Sequence, residues 1–287
     1  MKKSARAPWE VDKAFGPEYL RAECMKEAVF TTDHAGRKLD PPVKMLLVGA
    51  TRIRPPLNAG VWARDDATGQ WTRAVLTDDI VRADGERNTG LRAIAGHYDA
   101  VTGVHYVFAA PSAGAIFRGA YDPAAPGNIL WKKQPELGGA RKRIHGFSEA
   151  NGALYAAVGV DPAVTGPEGG GLFRRVDGPR PRWEFEYRWK AESDHRKKSM
   201  PAFRGLTAIP AADGQGEELI GAPETLGVIE VISPRKGHAA RQELDIGAYF
   251  ARAWKVTGEQ GGGLFAYNAT WGPRLADLGS LRTWGQA

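Results

Sequence analysis

Arg143-Ile144-His145-Gly146-Phe147-Ser148-Glu149, then Asn151-Gly152, then Ala153-Leu154-Tyr155-Ala156-Ala157-Val158-Gly159-Val160: this stretch decides the fold. Asn and Gly both tolerate positive φ, so Asn151-Gly152 predicts a two-residue hairpin turn between two strands. Two more strand-like runs follow, Gly171 to Val176 and Trp183 to Trp189, each bounded by Gly, Pro or Asp. Four consecutive runs joined by turns predict a four-stranded antiparallel unit, whose strands are here termed A, B, C and D.

The opening of strand C recurs along the chain, as Ala59-Gly60-Val61-Trp62, Ala113-Gly114-Ala115-Ile116-Phe117, Gly170-Gly171-Leu172-Phe173 and Leu226-Gly227-Val228-Ile229. Successive glycines are 54, 57 and 56 residues apart, and one further period lands near Leu278-Gly279-Ser280-Leu281. A repeated four-stranded unit with few helices predicts an all-β β-propeller. Five blades are expected, at 24–77, 88–134, 142–190, 203–246 and 249–287, forming a single domain over 1–287. The fifth unit has no strand D. Trp9-Glu10-Val11-Asp12 opens with Trp as other D runs do, so an N-terminal strand at 8–12 is expected to close the ring and cover the open sheet edge. The alternative is a chain cut from a six- or seven-bladed parent. Helical pattern is confined to Pro17 to Ala28, where Glu18 to Glu23 would make one or two turns. The 36 Gly and 19 Pro are spread along all 287 residues as punctuation between strands.

The turns between C and D read Arg64-Asp65-Asp66-Ala67-Thr68-Gly69-Gln70-Trp71 and Val176-Asp177-Gly178-Pro179-Arg180-Pro181-Arg182-Trp183, with Tyr121-Asp122-Pro123, Gly127 and Trp131 in the second unit. They resemble degenerate Asp-boxes, the Asp-x-Gly-x-x-Trp hairpins of sialidase-like (BNR-repeat) propellers, and no specific enzyme family is matched. In such a hairpin Asp caps backbone N–H groups, Gly takes a left-handed position and Trp anchors the turn between blades. The resemblance covers three of the five units and implies an architecture without implying catalysis.

It also implies where a ligand would bind: the channel mouth built from the D-to-A and B-to-C connections. His97, His105, Asp122 and His238 fall on the opposite face and are set aside. The D-to-A segments are basic, with Lys132, Lys133, Arg141, Lys142 and Arg143 in one and Lys190, Arg196, Lys197, Lys198 and Arg204 in the next. Aligned by apolar positions, the A runs place Arg92, His145, Thr207 and Lys255 on one rung, and Lys142, Arg204 and Arg252 on a rung three residues earlier. Cations gathered in a concave mouth focus positive potential, and arginines there would grip a carboxylate, sulfate or phosphate. The expected substrate-binding residues are Arg52, Arg92, Arg143, Arg204, Arg252 and Asn268, and the expected catalytic residues are His145, Asp161 and Glu224.

The expected partner is therefore an anionic small molecule or acidic glycan bound by a monomer. Whether it is turned over is left open. A lyase would use the arginines to neutralise a uronate carboxylate while His145 or a tyrosine takes the adjacent proton. A hydrolase would use Asp161 with Glu224. The alternative function is a non-enzymatic protein-interaction platform on the same basic face. Nucleic acid is disfavoured, because the basic loops lack interleaved aromatics for base stacking. No His-x-His or His-Glu-x-x-His pair points to a transition metal. Calcium is left open, since oxygen ligands such as Asp161, Glu168, Glu224 and Asn268 would come from separate blades and leave no local spacing. The lone Cys24 excludes an internal disulfide. No apolar run reaches the ~18 residues of a membrane span. The basic start Met1 to Pro8 is followed by no apolar signal core, so the sequence as written reads as cytoplasmic, or as periplasmic or secreted if a signal was removed. The net charge of +6 agrees with an anionic partner.

Overall fold

The computed structural model describes residues 11–17, 19–52, 59–76, 90–111, 116–134, 137, 142–160, 171–188, 203–211, 214–223, 228–232 and 241–245. Sixteen strands are found there: β1 (Tyr19–Thr32), β2 (Lys38–Arg52), β3 (Ala59–Asp65), β4 (Trp71–Leu76), β5 (Leu91–Asp99), β6 (Val104–Pro111), β7 (Ile116–Tyr121), β8 (Ile129–Gln134), β9 (Lys142–Ala150), β10 (Ala153–Val160), β11 (Gly171–Val176), β12 (Arg182–Arg188), β13 (Phe203–Pro210), β14 (Glu217–Pro223), β15 (Val228–Ile232) and β16 (Arg241–Asp245). They form four antiparallel sheets, each a meander of four consecutive strands. The architecture is all-β and consistent with a propeller. The expected fifth unit, 249–287, lies outside the described residues.

The turn chemistry read from the third unit is realised. Asn151 and Gly152 have φ of 50° and 74°, and β9 and β10 pair in register from Ala150↔Ala153 outward. In the β3–β4 turn, Asp65 Oδ1 accepts from the N–H groups of Ala67 and Thr68, both at 2.9 Å, while Gly69 takes φ 69°. Asp122 Oδ1 likewise accepts from Ala124 N at 2.9 Å, with Gly127 at φ 66°.

The cores explain how the sheets stack. Along β6, Val107 and Ala109 join a cluster with Phe30, Met45, Leu47 and Val61 of the first sheet. Their neighbours Tyr106, Phe108 and Ala110 join a second cluster with Ile144, Phe147, Leu154 and Val158 of the third sheet. Successive side chains of a strand point to opposite faces, so this alternation means that the second sheet is sandwiched between the first and third. A third cluster, with Tyr155, Leu172, Leu206 and Leu219, joins the third sheet to the fourth. Each fully buried side chain of this size stabilises the stack by about 1.5–3 kcal/mol. Trp183 works at one of these junctions: its ring stacks on Phe147 at 6.1 Å and meets Phe108 edge-on at 6.4 Å.

The helical turns expected within Pro17 to Ala28 do not form. Tyr19 to Thr32 is a single strand whose ladder with β2 runs from Tyr19↔Arg52 to Thr32↔Lys38. A helix of one or two turns has no stability of its own, whereas a 15-residue partner carrying Met45-Leu46-Leu47-Val48 offers the segment a continuous ladder. Val11 and Asp12, from the expected closing strand, lie in an irregular segment in which Asp12 pairs with Arg64 at 2.9 Å and Phe15 packs on Trp62. The rest of that strand and its expected partner lie outside the described residues.

Candidate functional site

The first strands of the four sheets sit side by side, β1 against β5, β5 against β9 and β9 against β13. In a four-stranded meander the starts of A strands share a rim with the B-to-C connections, and the A-to-B and C-to-D turns form the opposite rim.

At the first rim all four A strands show the same irregularity. The β5–β6 register runs Leu91↔Pro111, then Ala93↔Ala110, stepping over Arg92. The β9–β10 register runs Ile144↔Val158, then Gly146↔Ala157, stepping over His145. The β13–β14 register steps over Arg204, between Phe203↔Pro223 and Gly205↔Ala222. The β1–β2 register steps over Glu23, between Ala22↔Ala50 and Cys24↔Gly49, and also over Leu20. A bulge of this kind inserts one residue, bends the strand and re-aims a side chain, and bulges gather at rims and sites. The B-strand residues opposite are mostly small or proline: Gly49-Ala50, Ala110-Pro111, Ala157-Val158 and Ala222-Pro223. Small side chains leave room for the extra residue, and proline offers the ladder no N–H.

The bulges of β1 and β5 are neighbours. Cys24 Sγ donates to the Leu91 carbonyl at 3.3 Å, and a Cβ on Gly49 would come within 2.8 Å of the Leu91 Cβ. Burial pushes the Cys24 thiol up to about 12, so it stays protonated as this donor. Of the sequence-derived site residues, the structure thus places His145, buried, and Arg92, half-buried, at matching bulges. Arg204 is at a bulge too, although alignment by apolar positions had put Thr207 on that rung; Thr207 pairs regularly with Ile220. Arg52 closes β2 opposite Tyr19, and Arg143 pairs with Gly159. Asp161, Glu224, Arg252 and Asn268 lie outside the described residues, as does Glu168. Glu23 was not singled out from sequence, because a bulge is a mismatch between two strands and shows in neither alone.

The opposite rim carries a different kind of chemistry. Fully buried His97 on β5 donates from Nδ1 to Glu149 Oε2 at 3.1 Å and from Nε2 to Asp177 Oδ2 at 2.7 Å. Burial alone would depress its pKa, but these two carboxylates outweigh burial and raise it to about 9, so the ring is a cation at neutral pH. Asp177 Oδ1 accepts from Arg175 Nε at 2.8 Å, and Arg175 Nη2 lies 3.5 Å from Asp99 Oδ2. Burial disfavours an ionised Asp99, yet N–H donors from Thr102 and Gly178 and the charge of Arg175 hold its carboxyl below the usual range. Arg175 also lies over the Phe108 ring, 4.8 Å from its centroid.

The device recurs one junction earlier. His34, in the turn after β1, lies 3.7 Å from Asp122, the counterpart of Asp177, and His34 N donates to Tyr121 O at 2.8 Å. At the next junction Asn151 Nδ2 donates to Glu217 O at 2.9 Å, and Asn151 N donates to Glu217 Oε2 at 2.8 Å. These contacts fasten each sheet to the next. With no open surface at His97, they are latches between sheets. Among the described residues no group of three or more His, Cys, Asp or Glu is arranged to hold a metal ion, and no helix is long and apolar enough to cross a membrane.

No protein-family model matches the chain, and no curated protein matches it. Among solved structures, a chain from "Crystal Structure of Mitotic Checkpoint Complex" is similar at 14% identity with a TM-score of 0.34, covering 86% of this chain and 75% of that one. That likeness is too slight to carry an activity or a partner over to this chain.

Proposed function

We propose that the chain is a five-bladed propeller, closed by its N-terminal strand and built on Asp-box-like hairpins, that binds an anionic small molecule or acidic glycan where its A strands begin. The repeat spacing of 54, 57 and 56 residues supports the blade count. The observation that carries the ligand reading is the recurring bulge that sets Arg92, His145 and Arg204 at the same end of three adjacent strands. Bulges weaken a ladder, and their repetition at basic residues in three of the four sheets is accounted for if those residues serve the rim. Arginine supplies paired N–H donors to a carboxylate or sulfate, and His145 beside it is of the right type to move a proton. If the ligand is turned over, a lyase would use His145 as base, and a hydrolase would use Asp161 with Glu224. The exposed large apolar side chains among the described residues are Val11, Met25, Tyr98, Val101 and Phe185. Apart from Tyr98 and Val101 on one hairpin they are on separate elements, so nothing specific favours the interaction-platform alternative.

The test is a thermal-shift panel of galacturonate, glucuronate, sulfate, phosphate and citrate against wild type, Arg92→Ala and His145→Ala. At least one anion is expected to raise the wild-type melting temperature, with both variants losing most of that rise. Equal shifts in wild type and both variants, or no shift with any anion, would remove the reading.

A further inference from the structure

Asn151-Gly152 is the one Asn-Gly pair in the sequence; Asn58, Asn88, Asn128 and Asn268 are followed by Ala, Thr, Ile and Ala. Asparagine before glycine is open to an intramolecular reaction, because glycine has no Cβ to shield its amide nitrogen. The pair forms the exposed turn between β9 and β10, and a Cβ built on Gly152 would meet no atom within 4 Å. Among the described residues Gly152 N–H makes no hydrogen bond.

The restraint comes from the fourth sheet. Asn151 Nδ2 donates to Glu217 O at 2.9 Å, Glu217 N donates to Asn151 Oδ1 at 2.8 Å, and Asn151 N donates to Glu217 Oε2 at 2.8 Å. While these bonds hold, the side-chain amide is tied to β14 and its carbonyl carbon is kept from Gly152 N. Local opening of the junction frees it. We infer that Asn151 is a deamidation site gated by the junction between the third and fourth sheets, and that its conversion keeps the junction from closing again.

The reaction balances with water alone. Gly152 N attacks Asn151 Cγ; a C–N bond forms, the Cγ–Nδ2 bond breaks, and the amide nitrogen leaves as ammonia with the Gly152 proton. Water then opens the resulting succinimide at either carbonyl, giving aspartate or isoaspartate, and nothing is oxidised or reduced. Neither product can remake the latch. A carboxylate is acceptor-only, so the bond to Glu217 O is lost and oxygen faces oxygen. The new negative charge also stands beside the Glu217 carboxylate, which accepts from the same residue's N–H. Isoaspartate adds a methylene to the main chain, and a two-residue turn with φ of 50° and 74° has no slack for it.

The experiment incubates the full chain at mildly alkaline pH and maps its peptides by mass spectrometry, separating asparagine, aspartate and isoaspartate at position 151. Wild type, Glu217→Ala and urea-unfolded wild type are compared. Glu217→Ala removes the acceptor of Asn151 N and should speed conversion about tenfold over folded wild type, the low end for a hydrogen bond to a charged group. The unfolded chain should convert fastest, with isoaspartate among the products. Equal rates in folded and unfolded wild type, or no change in Glu217→Ala, would overturn the gating. No conversion in folded wild type or Glu217→Ala while the unfolded chain converts fully would overturn the site. Should Glu217→Ala not fold, wild type in urea below its unfolding transition replaces it: conversion should climb with urea, and a constant rate would overturn the gating. Hydrogen exchange at the 150–153 turn and along β14 should be faster in converted than in fresh protein, and equal exchange would overturn the loss of the latch.

Discussion

Replacing His97 by glutamine should produce a stability loss that depends on pH in a definite direction. The His97 pKa rises from 6.5 to about 9 on folding, because Asp177 and Glu149 outweigh burial. At about 1.36 kcal/mol per pH unit this is worth about 3 kcal/mol. The folded pKa lies above the unfolded one, so the contribution is complete below pH ~6.5, declines between, and is lost above about 9. A loss of that size is a large share of the ~5–15 kcal/mol that holds a typical domain together. Urea unfolding followed by tryptophan fluorescence, at pH 6 and pH 10, would measure it in wild type and in His97→Gln. The nine Trp give ample signal. The variant should be less stable by about 3 kcal/mol at pH 6, and the gap should shrink by most of that amount at pH 10. Other groups titrate at high pH, but both proteins share them and the difference removes them. A gap equal at both pH values would show that His97 is not a cation held between two carboxylates.

Three further outcomes follow from packing. Gly119→Ala would bring a Cβ to 2.6 Å from Ile129 Cγ2 and 3.0 Å from Trp131 Cε3 and Val107 Cγ1; such overpacking should cost about 1–3 kcal/mol in urea unfolding. Asn151→Ala removes the paired bonds to the Glu217 backbone, 2.8 Å from Glu217 N and 2.9 Å to Glu217 O, and puts alanine at φ 50°; a loss of about 2 kcal/mol should appear in the same assay. Gly49→Ala would place a Cβ 2.7 Å from Cys24 Sγ and 2.8 Å from Leu91 Cβ. It should lower the melting temperature and also weaken anion binding, since it pushes apart the strands that carry Glu23 and Arg92.

The strands were legible because their causes are local. Asn151-Gly152 announces a hairpin by itself, and the repeat of Gly60, Gly171 and their counterparts shows where C strands open. Where sequence reading failed, the deciding partner was distant or non-local. Glu18 to Glu23 has helical composition, and only β2 overrules it. His97 finds its partners 52 and 80 residues away, so no spacing in the sequence links it to Glu149 or Asp177. Arg92 and His145 could be nominated from charge and the alignment of apolar positions. Their bulges could not, and neither could the step at Glu23, because each depends on the register of a second strand.

The measurement closest to the central claim is hydrogen exchange with and without saturating galacturonate. The account predicts slower exchange at the starts of β5 and β9, around Arg92 and His145, with the His97 rim unchanged. Slowing confined to the His97 rim, or no slowing at either, would contradict it.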